Sequence, residues 1–396
     1  MDEFDVVVVG AGPAGAVAAR TAARHGARVL LVEEHTKIGR PIQCTGLLSV
    51  RGFEESGASP SVIVREITGA FVHAPDGRCL AIGGKGIKAF VIDRDRFDQD
   101  LVKKAEEAGV CVRNGVRAVG LKRVDKCASS QVNLQTCELV NCKVVIGADG
   151  PHSKIAQFAH LPRPQKMLLG VQAVIPHESK RDDFVEVFVG TQIAPHFFGW
   201  AVPASNGYAR VGLGLDQWKN THLYFHRFLK TRCFSEKVIE FQSGVIPIGP
   251  AARTVADGVI LVGDAAGQAK PTSGGGIYTS IVCAKIAGEV AAKCALNGDT
   301  SEQALWEYER RWRSLLEREL NFGMQAHKIL CKLSDTDLNR LFSLADDPQI
   351  LETITEHGDI DYPSVLVKQL IKIPSLWRKA LPLLPREAAT LLKLWS

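Results

Sequence analysis

Three groups of residues have the types and spacing to do chemistry. The first is Gly10-Ala11-Gly12-Pro13-Ala14-Gly15, directly after the run Val6-Val7-Val8-Val9 and opening an Ala-rich stretch from Ala14 to Ala23. In a strand–turn–helix each glycine has its own task. Gly10 permits the tight turn, Gly12 lets the backbone approach a pyrophosphate, and Gly15 lets helix and strand pack closely. The helix then offers free N–H groups and a partial positive charge to phosphate. Glu33 ends the next apolar run, 18 residues after Gly15, where its carboxylate can accept hydrogen bonds from an adenosine ribose. A GxGxxG alone is a glycine-rich turn. With strand, helix and acid in place it is a dinucleotide site, although it does not separate FAD from NAD.

The second group makes that separation. Val259-Ile260-Leu261-Val262-Gly263-Asp264 reads as a buried strand ending in Gly-Asp, and seven residues on comes Pro271-Thr272-Ser273-Gly274-Gly275-Gly276-Ile277, followed by a long helix. Asp264 can bind a ribitol hydroxyl. Gly275, Gly276 and Ile277 open a helix whose N-terminus can face the pyrimidine edge of a flavin and stabilise negative charge at N1 and O2. Two glycine-opened helices, far apart in the chain, then address the two ends of one FAD.

The third group is Cys44, in Gly39-Arg40-Pro41-Ile42-Gln43-Cys44-Thr45-Gly46, with His196, in Ala194-Pro195-His196-Phe197. Cys44 can act beside a flavin ring as proton donor or face contact; its alternative reading is a small packing residue whose backbone touches the cofactor. His196 is a second proton-carrying candidate, against the commoner reading of a solvated loop histidine.

The elements that must position these groups follow from periodicity. The β-branched run at Val6 is a strand buried on both faces, residues 14–23 a helix and residues 27–32 a second strand. Residues 93–109 read as a helix opened by Asp93 and closed by Gly109. Strands follow near 110–120 and 132–146, an antiparallel sheet over 170–215, a buried strand at 259–263 and a helix over 275–296. From 301 onward the pattern is helical, interrupted at Pro348, Pro363, Pro374, Pro382 and Pro385. The fold class is α/β: a Rossmann-like FAD-binding domain, an antiparallel-sheet substrate domain and a helical C-terminal region. The FAD-binding domain takes residues 1–65, 90–160 and 245–300, the substrate domain 66–89 and 161–244, and the helical region 301–396.

Composition sets outer bounds. With 46% apolar and 23% charged residues, the 396-residue chain is an ordinary globular one. Its net charge of +5 is too mild and dispersed to argue for nucleic acid. The ten cysteines include no CxxC pair and no zinc-finger spacing; no metal is expected, and most cysteines read as small buried residues in a reducing compartment. The first residues lack a secretory pattern, so a cytoplasmic protein is expected. Residues 363–396 carry six Lys/Arg against the single Glu387. That basic, Trp-bearing amphipathic tail suits an anionic membrane surface, or else a helical pair packed on the body.

The GxGxxG start, Ile146-Gly147-Ala148-Asp149-Gly150 and Gly263-Asp264 resemble the three landmarks of the p-hydroxybenzoate-hydroxylase-like flavoproteins, which implies an FAD-binding domain of the glutathione-reductase/p-hydroxybenzoate-hydroxylase type. Hydroxylases of that group commonly follow Asp-Gly with a Ser and then an Arg; here Ser153 is followed by Lys154-Ile155-Ala156. Two further segments resemble the geranylgeranyl reductase family. Gly39–Gly46 is similar to its G-x-P-V-x-C stretch. Phe198-Gly199-Trp200-Ala201-Val202-Pro203 with Gly212-Leu213-Gly214 is similar to its YxWxFP…GxG signature, with Phe198 for Tyr and Val202 for Phe. The WxWxIP motif of flavin halogenases competes for this segment but lacks its first Trp.

The resemblance runs over roughly residues 1–330. It implies FAD contacts from Ala14, Glu33, Cys44, Thr45, Leu47, Arg94, Ala118, Asp264, Gly276 and Ile277. It also implies an isoprenoid cavity lined by Phe198, Trp200, Pro203, Gly212 and Gly214. The implied activity is reduction of geranylgeranyl double bonds in prenyl lipids. Electrons would come from NAD(P)H, a reduced deazaflavin or a ferredoxin. A monooxygenase of the same fold and an electron-transfer flavoprotein are the alternatives; the latter finds no Fe–S cysteine spacing in this chain.

Overall fold

The computed structural model describes residues 3–124, 129–205, 207–216, 219–232, 234–374 and 376. The chain opens with β1 (Glu3–Val9), α1 (Pro13–Arg24), β2 (Val29–Glu33), β3 (Leu47–Ser49) and α2 (Val50–Ser56). Next come β4 (Ile63–Ile67), β5 (Gly69–His73), β6 (Cys79–Gly83), β7 (Ala89–Ile92) and α3 (Arg94–Glu106). They are followed by β8 (Cys111–Asn114), β9 (Ala118–Val124), β10 (Ser129–Leu134), β11 (Leu139–Gly147) and α4 (Lys154–Phe158). A second β-rich stretch holds β12 (Lys166–Pro176), β13 (Phe184–Phe188), β14 (Gly199–Pro203), β15 (Tyr208–Leu215), α5 (Thr221–Thr231) and β16 (Glu240–Ile248). The chain then returns through β17 (Val255–Ala256), β18 (Val259–Leu261) and α6 (Ile277–Asn297). It ends in α7 (Glu302–Leu330), α8 (Asp335–Leu344), α9 (Pro348–His357) and α10 (Pro363–Leu370).

The first sheet has the parallel order β18-β11-β1-β2-β8, with β17 antiparallel at its edge and the β9–β10 hairpin joined to β11. Val6, Val7 and Val8 are fully buried, because β1 is covered on both faces. One face packs on α1, α3, α6 and α7, the other on β9, β10 and α4. β1 lies between β2 and β11, so the chain leaves it in both directions. The crevice beyond the C-terminal ends of these strands is where such sheets bind ligands. The close approach of α1 and α6 depends on Gly288, where an added Cβ would lie 2.4 Å from the Ala18 carbonyl oxygen.

The second sheet runs β16-β12-β15-β14-β13-β5-β6. It is antiparallel except where β13 lies parallel to β5, with Phe184 opposite Gly69. That pair departs from the all-antiparallel expectation. Parallel neighbours need a long crossover, and here more than a hundred residues separate the two strands. A third, small sheet, β3-β7-β4, joins the two large ones.

Pro348 and Pro363 open α9 and α10 instead of merely breaking a helix, since proline is pre-set for a first helical position. Of the eight described cysteines only Cys142, Cys283 and Cys294 are buried; Cys79, Cys111 and Cys137 are exposed. The expectation of mostly buried cysteines therefore fails, because these three lie on short strands and a turn at the surface. No helix among the described residues is long and apolar enough to cross a membrane. The basic tail lies largely outside the described residues.

Candidate active site

The strand ends build the first half of the site. Gly10 has φ +101°, and a Cβ there would lie 2.4 Å from the Ala148 carbonyl oxygen. A Cβ on Gly15 would fall 1.8 Å from the Gly10 oxygen, so helix and turn meet only through glycine. Gly12, by contrast, has no atom within 4 Å of that position and faces the crevice. Ala14 packs under the other strand end, since a Cβ on Gly263 would meet its methyl at 3.0 Å. Glu33 accepts from the Ala11 N–H (2.8 Å) and, on its other oxygen, from the His35 N–H (3.0 Å) beside His35 Nδ1 (2.6 Å). The carboxylate thus locks the glycine turn as well as facing the crevice, and it keeps acceptor capacity for a ribose. A cavity of about 680 Å³ runs past Gly10, Gly12, Glu33, Ala118 and Asp149, within the usual size of a cofactor site.

Asp149 is turned to a structural task. It accepts from Ser153 Oγ (2.6 Å) and from the Lys154 and Ile155 N–H groups (2.7 and 3.1 Å), so it caps α4.

Asp98 lines the same cavity, with Arg94 paired to it and Asp264 within electrostatic reach of Arg94. Arg94 pairs with Asp98 through two contacts of 2.9 and 3.0 Å. Burial opposes the charge on Arg94, but Asp98 and the Cys44 sulfur beside it hold its pKa above the ordinary arginine value. Its Nε is buried with no hydrogen-bond partner among the described residues. Burial raises the Asp264 carboxyl to about 6, with Arg94 pulling the other way, and its carboxylate makes no hydrogen bond among the described residues. A buried N–H and a buried carboxylate without partners are costly. A polyhydroxyl chain, which both donates and accepts, satisfies both. The residues present therefore fit the ribitol of FAD.

Beyond Asp264 lies a smaller apolar cavity of about 270 Å³, which shares Gln43, Ser243 and Gly244 with the first. Cys44, Thr45, Leu47, Gly275, Gly276 and Ile277 line it. The 21-residue helix α6 starts here with no side-chain cap, leaving its N-terminal N–H groups and dipole directed at the cavity. Gln268, an unexpectedly polar residue for this loop, is fully buried and points away. It accepts from the Gly263 N–H (2.8 Å) and donates to Tyr308 Oη (2.9 Å), which fixes the Gly263–Asp264 turn.

The Cys44 loop is held by the second sheet. Gln172 Nε2 donates to the Cys44 carbonyl (3.1 Å) and also to Gln242, while Gln172 Oε1 accepts from Trp200 Nε1 (3.3 Å). Arg210 reaches the Thr45 carbonyl and the Ile92 carbonyl (3.2 Å); burial holds its pKa down. The Gly46 N–H points at Cys44 Sγ at 3.4 Å. Gln172, Gln242 and Arg210 are the functional residues that sequence reasoning missed. For Gln172 and Arg210 the only signal was a polar side chain in a largely apolar strand; Gln242, among Glu240 and Ser243, carried none.

Phe198 and Trp200 line the apolar cavity, but Pro203, Gly212 and Gly214 do not. They stand behind its wall. A Cβ on Gly212 would lie 2.7 Å from the Trp200 ring, and one on Gly214 would lie 2.5 Å from Phe197, so these glycines make room for the aromatic rings that line it. His196 is also elsewhere. It pairs with Asp216 (2.7 Å), which holds Lys166 (3.1 Å), and borders a separate apolar cavity behind Phe197 and Phe198. It is a partly exposed loop residue held by an ion pair, and it does not line the Cys44 cavity. Among the described residues no group of three or more His, Cys, Asp or Glu side chains could hold a metal.

Comparison with known proteins agrees with this geometry. The family model described as FAD binding domain matches residues 3–322. The digeranylgeranylglycerophospholipid reductase of Methanothrix thermoacetophila is 35% identical over 85% of this chain and 90% of its own length. That of Methanocaldococcus jannaschii is 35% identical over 95% and 97%. Among solved structures, a geranylgeranyl bacteriochlorophyll reductase-like protein from Thermoplasma acidophilum superposes with a TM-score of 0.83 at 26% identity, covering 97% of this chain and all of its own. The p-nitrophenol 4-monooxygenase of Pseudomonas putida shares the fold at 16% identity, with a TM-score of 0.70 over 96% of this chain and 98% of its own.

Proposed function

The chain belongs to the family of digeranylgeranylglycerophospholipid reductases, and from that premise we propose how its own side chains carry the reaction. It is an FAD-dependent oxidoreductase that saturates the C=C bonds of geranylgeranyl groups in archaeal-type prenyl lipids, with electrons from an external donor. Gly10, Gly12, Glu33 and Ala118 hold the ADP end of the cofactor. Asp264, with Arg94 and Asp98, would hold the ribitol, and Gly275, Gly276 and Ile277 would face the ring. FAD, when bound and reduced, supplies a hydride to one carbon of the double bond.

The remaining work belongs to this chain. An isolated trisubstituted alkene takes a hydride only if the other carbon receives a proton, so a proton must be held in a place from which water is excluded. Leu47, Val171, Val202, Phe198, Trp200 and Ile246 supply apolar walls. Cys44 carries the proton on Sγ: its S–H bond breaks as the new C–H bond forms, and the thiolate left behind faces the Arg94 guanidinium. The observation that carries this reading is the position of Cys44, on the apolar cavity's wall, beside a residue shared with the cofactor channel and with buried Arg94 next to its sulfur.

Anaerobic turnover of dithionite-reduced protein with a geranylgeranyl lipid should add two hydrogens per double bond by mass spectrometry; an unchanged mass refutes the reading. The donor belongs to one of three classes, nicotinamide, reduced deazaflavin or ferredoxin, separated by which one bleaches the bound FAD under argon. The enzyme works on the cytoplasmic side, touching anionic membrane through Lys368, Lys372, Arg378, Lys379, Arg386 and Lys393. Glutamate at Lys379, Arg386 and Lys393 together should abolish flotation with anionic liposomes; undiminished flotation removes that contact.

A further inference from the structure

Lys270 and Asp361 form a buried ion pair on the wall of the apolar cavity. Nζ lies 2.6 Å from Asp361 Oδ1 and donates to the Ile360 carbonyl at 3.0 Å; the side chains are 8% and 1% exposed. The Lys270 N–H donates to the Gly275 carbonyl (3.2 Å) and the Gly274 N–H to the Lys270 carbonyl (2.8 Å), so the residue is tied to the glycine run. Its stem lies along Gly275: an added Cβ there would meet Lys270 Cε at 3.4 Å and Nζ at 3.7 Å. The pair is therefore oriented. Its positive end stands at the opening of α6, and its negative end belongs to the C-terminal region.

That region is anchored here by further contacts. Arg51 holds Asp359 (3.1 Å) and Asp361 (3.4 Å), and the Tyr278 and Tyr362 hydroxyls meet at 2.9 Å. A latch between two parts of the fold would need none of this charge on the cavity wall, since apolar residues of equal volume serve as well or better.

We propose that Lys270 is a fixed positive charge of the flavin site, adding to the dipole of α6, and that Asp361 is the positioning residue that holds and partly screens it. Reduction places negative charge on the flavin, and a buried ammonium beside the glycine run favours that state. The proposal rests on the cofactor site alone and not on the lipid, so its failure leaves the reductase reading intact.

The test is the midpoint potential of FAD in the full-length holoenzyme, measured by dye-coupled reductive titration without substrate. Lys270→Met should shift the reduction equilibrium toward oxidised FAD about tenfold, roughly 30 mV for two electrons. Asp361→Asn, which removes only the screening charge, should shift it the other way, and Lys270→Arg should stay near wild type. Shifts of the same sign in Lys270→Met and Asp361→Asn, or none, overturn the proposal, because a plain latch loosens alike from either side. Should Lys270→Met not retain FAD, Asp361→Asn decides alone: a raised potential supports the assignment, and a lowered or unchanged one ends it.

Discussion

Asp264 is the residue whose replacement separates cofactor binding from folding most sharply. Burial raises its folded pKa to about 6, against an ordinary 3.8. A raised acid pKa means that the folded protein without cofactor binds the proton more tightly than the unfolded chain. Below about pH 4 both states are protonated and Asp264 has no effect. As pH rises from the unfolded toward the folded value the unfolded chain ionises first and a cost to folding builds; above the folded value it stays at about 3 kcal/mol, from roughly two units at 1.36 kcal/mol each. Near pH 5 about half of that cost is already present. Asp264→Asn has the same shape and no charge to bury. The FAD-free variant should therefore be more stable than FAD-free wild type, by about 1.5 kcal/mol near pH 5 and about 3 kcal/mol near pH 7.5 in urea unfolding. The same change weakens FAD binding, because hydrogen bonds to a charged acceptor contribute about 1.5–3 kcal/mol; titration of flavin fluorescence should show on the order of a tenfold to hundredfold loss. A variant no more stable than wild type at pH 7.5, or a gain that does not grow between the two pH values, would refute the reasoning.

Cys44→Ser should retain FAD at full stoichiometry but reduce alkene at about one hundredth of the wild-type rate or less, the usual contribution of a positioned acid; equal rates in single turnover would dispose of the thiol as proton carrier. Gly212→Ala places a Cβ 2.5 Å from the Val171 oxygen and 2.7 Å from the Trp200 ring, which should cost about 1–3 kcal/mol and displace the indole, seen as altered Trp fluorescence in denaturant titration. Glu309 is 1% exposed and accepts from the Thr254 N–H (2.9 Å) and Arg313 Nε (2.7 Å). Glu309→Ala should lower guanidinium stability by about 3–5 kcal/mol, as breaking a buried pair does, with no change if α7 is not anchored there.

What the sequence made legible has a physical pattern. The Val6–Val9 strand, the glycine turn and the Gly263–Asp264 turn lie within short segments, and their chemistry depends on neighbours a few residues away. Glu33 was legible as an acid at a strand end, but not as the acceptor for Ala11, which needs the register of β1 against β2. Gln172 and Arg210 were illegible for a related reason. In a strand read by alternation a polar residue is assigned to solvent, whereas Gln172 is buried, Arg210 is half-buried, and both spend donors on carbonyls of the Cys44 loop. Gly212 and Gly214 were placed on the cavity because they stand in a lining motif, yet their role is the absence of a side chain behind Trp200 and Phe197. Lys270 and Asp361 lie 91 residues apart, and no local signal joins them.

The three residues that grip the Cys44 segment come from three places: Gln172 from β12, Arg210 from β15 and Arg94 from the start of α3. Cys44 and Thr45 each give up a carbonyl to the cap sheet, so those backbone acceptors need no water. This matters because hydride transfer to an alkene competes with loss of reducing power to solvent, and every unsatisfied polar group on the wall would hold a water molecule there. Polar residues of this cavity are spent on each other, Gln172 with Trp200 and Gln242 and Lys270 with Asp361, while Arg210, outside its lining, is spent on two carbonyls. A dry site is thus made from polar residues whose partners lie on different elements, and it exists only when sheet, helix and C-terminal segment are docked together. Loss of any one of these contacts should therefore admit water before it unfolds the chain. The symptom would be faster reoxidation of reduced FAD in air, measured without denaturant, where the variant is still fully folded.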